Sequence, residues 1–266
     1  MTRRNFVSLA PVALMSASAV LRAETAQERG KKLVADAIHA LGGDGFRFMP
    51  GRVEHGRAYS FYREQISGLS IAKIYTKYLD KAEPGTLRMT QRQAFGKKED
   101  DFVLLTGTSA FEVNFRGAKP LGEERIKQFN MTTLHDVFYI LRERLDEPGM
   151  VVEALGRDVV ENLPVEKLQF VDSENRQLTV WFHSSTMLPV KQSFKRWDPT
   201  INDRREEVTR YTKYRESGNG VMWPWDTQRE RDGEKLFELY SDKVAIGESL
   251  PASMFELPAG VTVLKK

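Results

Sequence analysis

Apolar residues along this chain follow two different periods. Between residues 25 and 41, Leu33, Val34, Ala37, Ile38 and Leu41 fall on one face of a helical repeat, which predicts a helix stopped by Gly42 and Gly43. Downstream the period shortens to that of a strand. Segments 52–62, 71–79, 86–95 and 102–116 are rich in Tyr, Phe, Val, Ile and Thr and are broken by Gly, Pro or Asp, the pattern of a meander. A second helix is predicted over 133–146. There Leu134, Val137, Phe138, Leu141 and Leu145 share a face behind a threonine cap, with Asp136 in the first turn and Pro148-Gly149 past the end.

Strand signals return after residue 150. Segments 166–172, 177–183, 188–197, 205–216, 221–231 and 235–244 are separated by turn residues such as Asp198-Pro199, Gly218-Asn219-Gly220 and Asp232-Gly233. In 177–183, Leu178, Val180 and Phe182 share one face, opposite Thr179, Trp181 and His183. Several strands are apolar on both faces, as expected where helices or a ligand cover the sheet. No linker or repeat divides the chain, so a single α+β domain over 24–266, mainly antiparallel β, is expected.

Composition narrows the class. Hydrophobic residues make up 41% and charged residues 29% of 266 positions, an ordinary globular balance. With no cysteine, disulfide frameworks, thiol catalysis, Cys-ligated zinc and a lipid-modified N-terminal cysteine are excluded. The first 23 residues read as an export signal: Arg3 and Arg4, an apolar run from Phe6 to Leu21, then Ala23 before a polar segment. The adjacent arginines before Asn5-Phe6 resemble a twin-arginine signal, and the general export route fits equally well. Cleavage after Ala23 removes Arg3, Arg4 and Arg22 from the 40 basic residues and none of the 37 acidic ones, leaving a formal charge of zero. A neutral mature chain lacks the electrostatic footprint of a nucleic-acid binder. The apolar run is short for a membrane span, so no transmembrane segment is expected after cleavage.

The C-terminal half carries an ordered set of short motifs. Leu178-Thr179-Val180-Trp181-Phe182 is followed by Thr186-Met187-Leu188-Pro189, then by Tyr211-Thr212-Lys213-Tyr214-Arg215. Gly220-Val221-Met222-Trp223-Pro224 and finally Phe255-Glu256-Leu257-Pro258 complete the series. In this order and spacing they resemble the periplasmic lipoprotein-sorting proteins related to LolA and LolB, over roughly residues 160–258. The resemblance implies an incomplete antiparallel barrel, a half barrel whose concave face is covered by helices. It would enclose an apolar cavity for a lipid or a lipoprotein acyl chain. Helices 25–41 and 133–146 would then be the lid, with Leu134, Val137, Phe138 and Leu141 on its inner face. No cofactor is implied. Segment 44–130 holds no landmark of the family, and proteins of this shape also serve as stress sensors or protein-interaction modules in the envelope.

Candidate chemistry is sparse. His39, His55, His135 and His183 have no metal-like spacing, and no phosphate loop or nucleophile elbow is present. Adjacent pairs such as Asp100-Asp101, Glu123-Glu124 and Glu206-Glu207 read as solvated surface. The densest signal is aromatic. Trp197, Tyr211, Tyr214, Trp223 and Trp225, with Leu178, Val180 and Phe182, are the candidates to line a cavity, set against ordinary cross-strand packing. Pro224 between two tryptophans suggests an edge strand. The sequence thus favours a non-catalytic periplasmic carrier for an apolar ligand, with an envelope protein as the alternative partner.

Overall fold

The computed structural model describes residues 24–83 and 85–265. The expected export signal over 1–23 lies outside the described residues. Helix α1 (Ala26–Leu41) begins at a capping box, in which Thr25 Oγ1 accepts from Glu28 N at 3.1 Å and Thr25 N donates to Glu28 Oε2 at 2.8 Å. It ends at Gly42, whose φ of 119° is a left-handed cap that favours glycine. A single turn, α2 (Asp44–Arg47), leads into the sheet and buries Phe46.

Six strands follow: β1 (Gly51–Tyr62), β2 (Gln65–Tyr78), β3 (Met89–Phe95), β4 (Asp101–Leu105), β5 (Ala110–Asn114) and β6 (Gly117–Pro120). Helices α3 (Glu123–Leu134) and α4 (Val137–Tyr139) come next, α4 continuing as a π-helical turn over Ile140–Arg144. Seven more strands close the sheet: β7 (Val151–Val160), β8 (Leu163–Val171), β9 (Gln177–His183), β10 (Pro189–Asp198), β11 (Asp203–Glu216), β12 (Met222–Arg231) and β13 (Glu234–Ile246). The described residues form one thirteen-stranded antiparallel sheet in the order β6-β5-β4-β3-β2-β1-β13-β12-β11-β10-β9-β8-β7. Each strand pairs with its neighbour in sequence except at the seam, where β1 pairs with β13. Strands β6 and β7 sit at opposite edges, so the barrel stays open and the helical connection between them crosses its concave face.

Both edges are protected. Gly30 of α1 lies so close to β7 that a Cβ there would meet the Val152 carbonyl oxygen at 2.7 Å. At the other edge the C-terminal segment adds to β6, with Ala118 N donating to Thr262 O and Leu264 N to Ala118 O. That segment also covers part of the convex face, where Leu250 and Phe255 pack with Val53, Tyr75, Phe102 and Val113.

Three sequence expectations need correction. Segment 102–116 is two strands, because Thr106 Oγ1 accepts from Ser109 N at 2.9 Å and turns the chain. Edge strand β7 is the element whose mixed pattern gave no strand signal. The helix expected over 133–146 is instead α3, a break, then α4 and the π-helical turn. Thr133 is buried in the last turn of α3, and the cap belongs to Asp136, whose Oδ1 accepts from Tyr139 N at 2.9 Å.

Candidate functional site

A cavity of about 360 Å³ lies between α3 and the concave face of the central strands. Its inner end is built from Arg52, Glu54, Asp136, Phe138, Gln192, Tyr211 and Trp223. Toward the β1–β2 and β12–β13 hairpins its wall carries Ala58, Ala72, Ile74, Phe95, Phe237 and Leu239. Arg125, Gln128 and Thr132 of α3 form its roof. Phe129 and Thr133 on the helix are buried and Ile126, Met131 and Leu134 pack on the core, while Arg125, Gln128 and Thr132 line the cavity.

The floor is a charge network most of whose groups are satisfied. Trp223 Nε1 donates to Glu54 Oε1 at 3.0 Å, and Arg52 donates to Glu54 Oε2 at 2.9 Å and to the Tyr78 hydroxyl at 2.7 Å. The Arg52 guanidinium also lies 4.4 Å from the Trp223 ring centroid. Burial opposes its charge, but Tyr78, Glu54 and Asp136 outweigh that and hold it protonated more firmly than usual. Burial pushes the Asp136 carboxyl up, against the pull of the Tyr139 N–H and Arg52. Burial likewise pushes the Tyr211 hydroxyl well above its usual range, and Asp136 adds to it. That hydroxyl makes no hydrogen bond among the described residues.

The candidates separate into four groups. Tyr211, Trp223 and Phe138 meet at the cavity floor, with Phe138 wedged 5.0 Å from Tyr211 and 4.5 Å from Trp223. Leu178, Val180 and Phe182 sit in the closed core with Val137 and Leu141, none of them more than 1% exposed and none lining the cavity. Leu134 packs half-buried against the same core. Tyr214 donates to Pro189 O at 2.8 Å, and Trp225 donates to Ser217 Oγ at 3.0 Å, both packed on the core margin. Trp197 is 55% exposed at the end of β10, away from the cavity. Pro224 is on an interior strand, in the stretch where β12 pairs with β11 but has not yet met β13. Its missing N–H therefore does not require a sheet edge.

Sequence reasoning missed the polar members of the floor, Arg52, Glu54, Asp136 and Gln192. Glu207, read as solvated, accepts from both Arg196 and Arg231 and lines the cavity. Among the described residues no three His, Asp or Glu side chains converge as metal ligands would. His55 pairs with Asp242, while His135 stacks on Phe194 at 4.2 Å.

No family model matches the chain, and no curated protein matches its sequence. Solved structures do share its architecture. A DUF1329 family protein from Desulfovibrio piger superposes with a TM-score of 0.58 at 10% identity, covering 85% of this chain and 97% of the other. A LolA superfamily protein from Nitrosomonas europaea gives 0.52 at 12% identity, with 85% and 97% covered. The fold is LolA-like. A Vibrio parahaemolyticus domain provisionally assigned to outer membrane lipoprotein sorting gives 0.54 at 11% identity, with 86% and 97% covered. At such identities the LolA-like relationship concerns the half barrel and not the individual residues of the cavity.

Proposed function

We propose that the protein is a non-catalytic periplasmic carrier that holds the apolar part of a lipid or of a lipoprotein acyl chain in the concave cavity. The observation that carries this reading is the cavity itself, a space of about 360 Å³ between α3 and the sheet, walled by Ala72, Ile74, Phe95, Phe237 and Leu239. Buried apolar wall removed from water supplies the affinity, at roughly 25 cal/mol per Å². Movement of α3, which has no side-chain cap at Gly122, supplies entry. The Vibrio domain provisionally assigned to lipoprotein sorting gives the same half barrel a matching occupation.

A fluorescent fatty acid titrated into the purified protein tests this. Saturable binding at one site, weakened at least tenfold by Leu239→Glu, supports a carrier. Absence of binding by the wild-type protein contradicts it. One observation favours a second reading, an envelope protein partner. Tyr62, Ile66 and Leu69 at the β1–β2 hairpin, and Trp197 and Ile201 at the β10–β11 hairpin, are exposed apolar side chains.

A further inference from the structure

The polarity of the cavity floor bears on what the carrier holds, and the inference drawn from it rests on the carrier reading above. Tyr211 is 3% exposed, yet its hydroxyl has no hydrogen-bond partner among the described residues. A buried hydroxyl without a partner destabilises the fold, so phenylalanine would serve the fold better at this position. Asp136 lines the same floor. One of its carboxylate oxygens accepts from Tyr139 N, and the other makes no hydrogen bond among the described residues. Most remaining floor groups are occupied, while Arg52 Nη2 makes no hydrogen bond among the described residues. Arg52 binds Glu54 and Tyr78, Glu54 accepts from Trp223, and Gln192 binds Val137 and His135.

The floor therefore presents an unused neutral donor on Tyr211 and an unused acceptor on Asp136, beneath walls that turn apolar toward the hairpin end. We propose that the cavity takes a single amphiphile polar end first, an uncharged hydroxyl or amide group accepting from Tyr211 and donating to Asp136, with its hydrocarbon directed to the mouth. A phosphate or carboxylate at this depth would stand beside the Asp136 carboxylate, where the Arg52 charge is already compensated by Glu54. Arg229 has no ion pair among the described residues but is exposed, further along β12 toward the mouth. With about 360 Å³, the cavity is at the small end of the roughly 300–1,000 Å³ range of ligand sites, which suits one molecule of this kind.

Calorimetric titration of the full chain with 1-decanol, decanoate and decyl phosphate at pH 8 tests the proposal. Decanol is expected to bind tightest, and Tyr211→Phe to weaken it roughly 3–10-fold, the loss of one neutral hydrogen bond. The same variant is expected to melt at or above the wild-type temperature. Tightest binding of decyl phosphate, lost in Arg229→Gln and not in Tyr211→Phe, overturns the proposal by placing the head at the mouth. Equal affinity of wild type and Tyr211→Phe for decanol also overturns it. If the fluorescent fatty acid binds in either of those cases, the carrier reading survives. If none of the four probes binds, the carrier reading fails with it.

Discussion

Gln192, a buried side chain on β10, accepts a hydrogen bond from Val137 N at 2.9 Å and donates one to His135 O at 3.0 Å. One amide thus satisfies two backbone groups freed where the helical cover breaks between α3 and α4. It also fixes Phe138, the next residue, over the cavity floor. Gln192→Leu leaves both backbone groups buried and unpaired. It is expected to cost about 2–4 kcal/mol in urea unfolding and to speed amide exchange at Val137 and Tyr139 while α1 stays protected. Unchanged exchange at those amides contradicts the anchor.

A second tie joins the π-helical turn to the β8–β9 connection. Arg144 Nη2 donates to Asp172 Oδ2 at 2.8 Å, both side chains being 4% exposed, and Arg176 Nε donates to the same oxygen at 2.7 Å. Burial alone pushes the Asp172 carboxyl up, but the hydrogen bonds from Arg144 and Arg176 outweigh it and bring it down to about 2. A depressed carboxyl stabilises the fold above its ordinary value of 3.8, and that stabilisation is lost as pH falls toward 2. Asp172→Asn is expected to lose about 1–3 kcal/mol at neutral pH, because Arg144 loses one of its two carboxylate partners and keeps Glu147. Its denaturant midpoint should depend less on pH below 4 than that of the wild type.

His135 gives a separate pH signature. Burial lowers its affinity for a proton below the ordinary 6.5, Arg176 and Arg144 reinforce this, and the Met131 carbonyl and Asp172 oppose it. The folded state therefore disfavours imidazolium. Stability is full above pH 6.5 and falls as pH drops through the lowered folded value. Thermal melts between pH 7.5 and 5 should show this slope in the wild type and a flatter one in His135→Gln. Parallel slopes contradict it.

The sheet was largely legible because its strands alternate and its turns are marked by Gly, Asn and Asp. The open half barrel agrees with the expectation raised by the C-terminal motifs. The cavity was legible only in its aromatic members, Phe138, Tyr211 and Trp223. On β1, polar Arg52 and Glu54 alternate with Val53, a pattern that reads as polar side outward. The C-terminal segment covers Val53 on the convex side, so the polar face turns inward. Helix α3 left a weak signal because Arg125, Gln128 and Thr132 roof a cavity and so replace apolar residues that a packed helix would carry.

Leu178 and Phe182 separate folding from binding. Both are fully buried in the core and neither borders the cavity, so Leu178→Ala is expected to cost about 2–5 kcal/mol while leaving ligand affinity unchanged in the folded fraction. Thr227 lines the cavity and is half-buried. Thr227→Trp should reduce binding more than tenfold with little change in melting temperature. Calorimetry of both variants checks the contrast, and a loss of affinity in Leu178→Ala at full folding would move the site.

The most direct test of a carrier is native mass spectrometry of the protein isolated from a bacterial periplasm, followed by organic extraction. A carrier predicts a stoichiometric amphiphilic adduct on the wild type that is missing from Thr227→Trp. A wild-type chain that emerges bare, and stays bare after incubation with envelope lipids, contradicts the carrier and leaves the exposed hairpin residues as the functional surface.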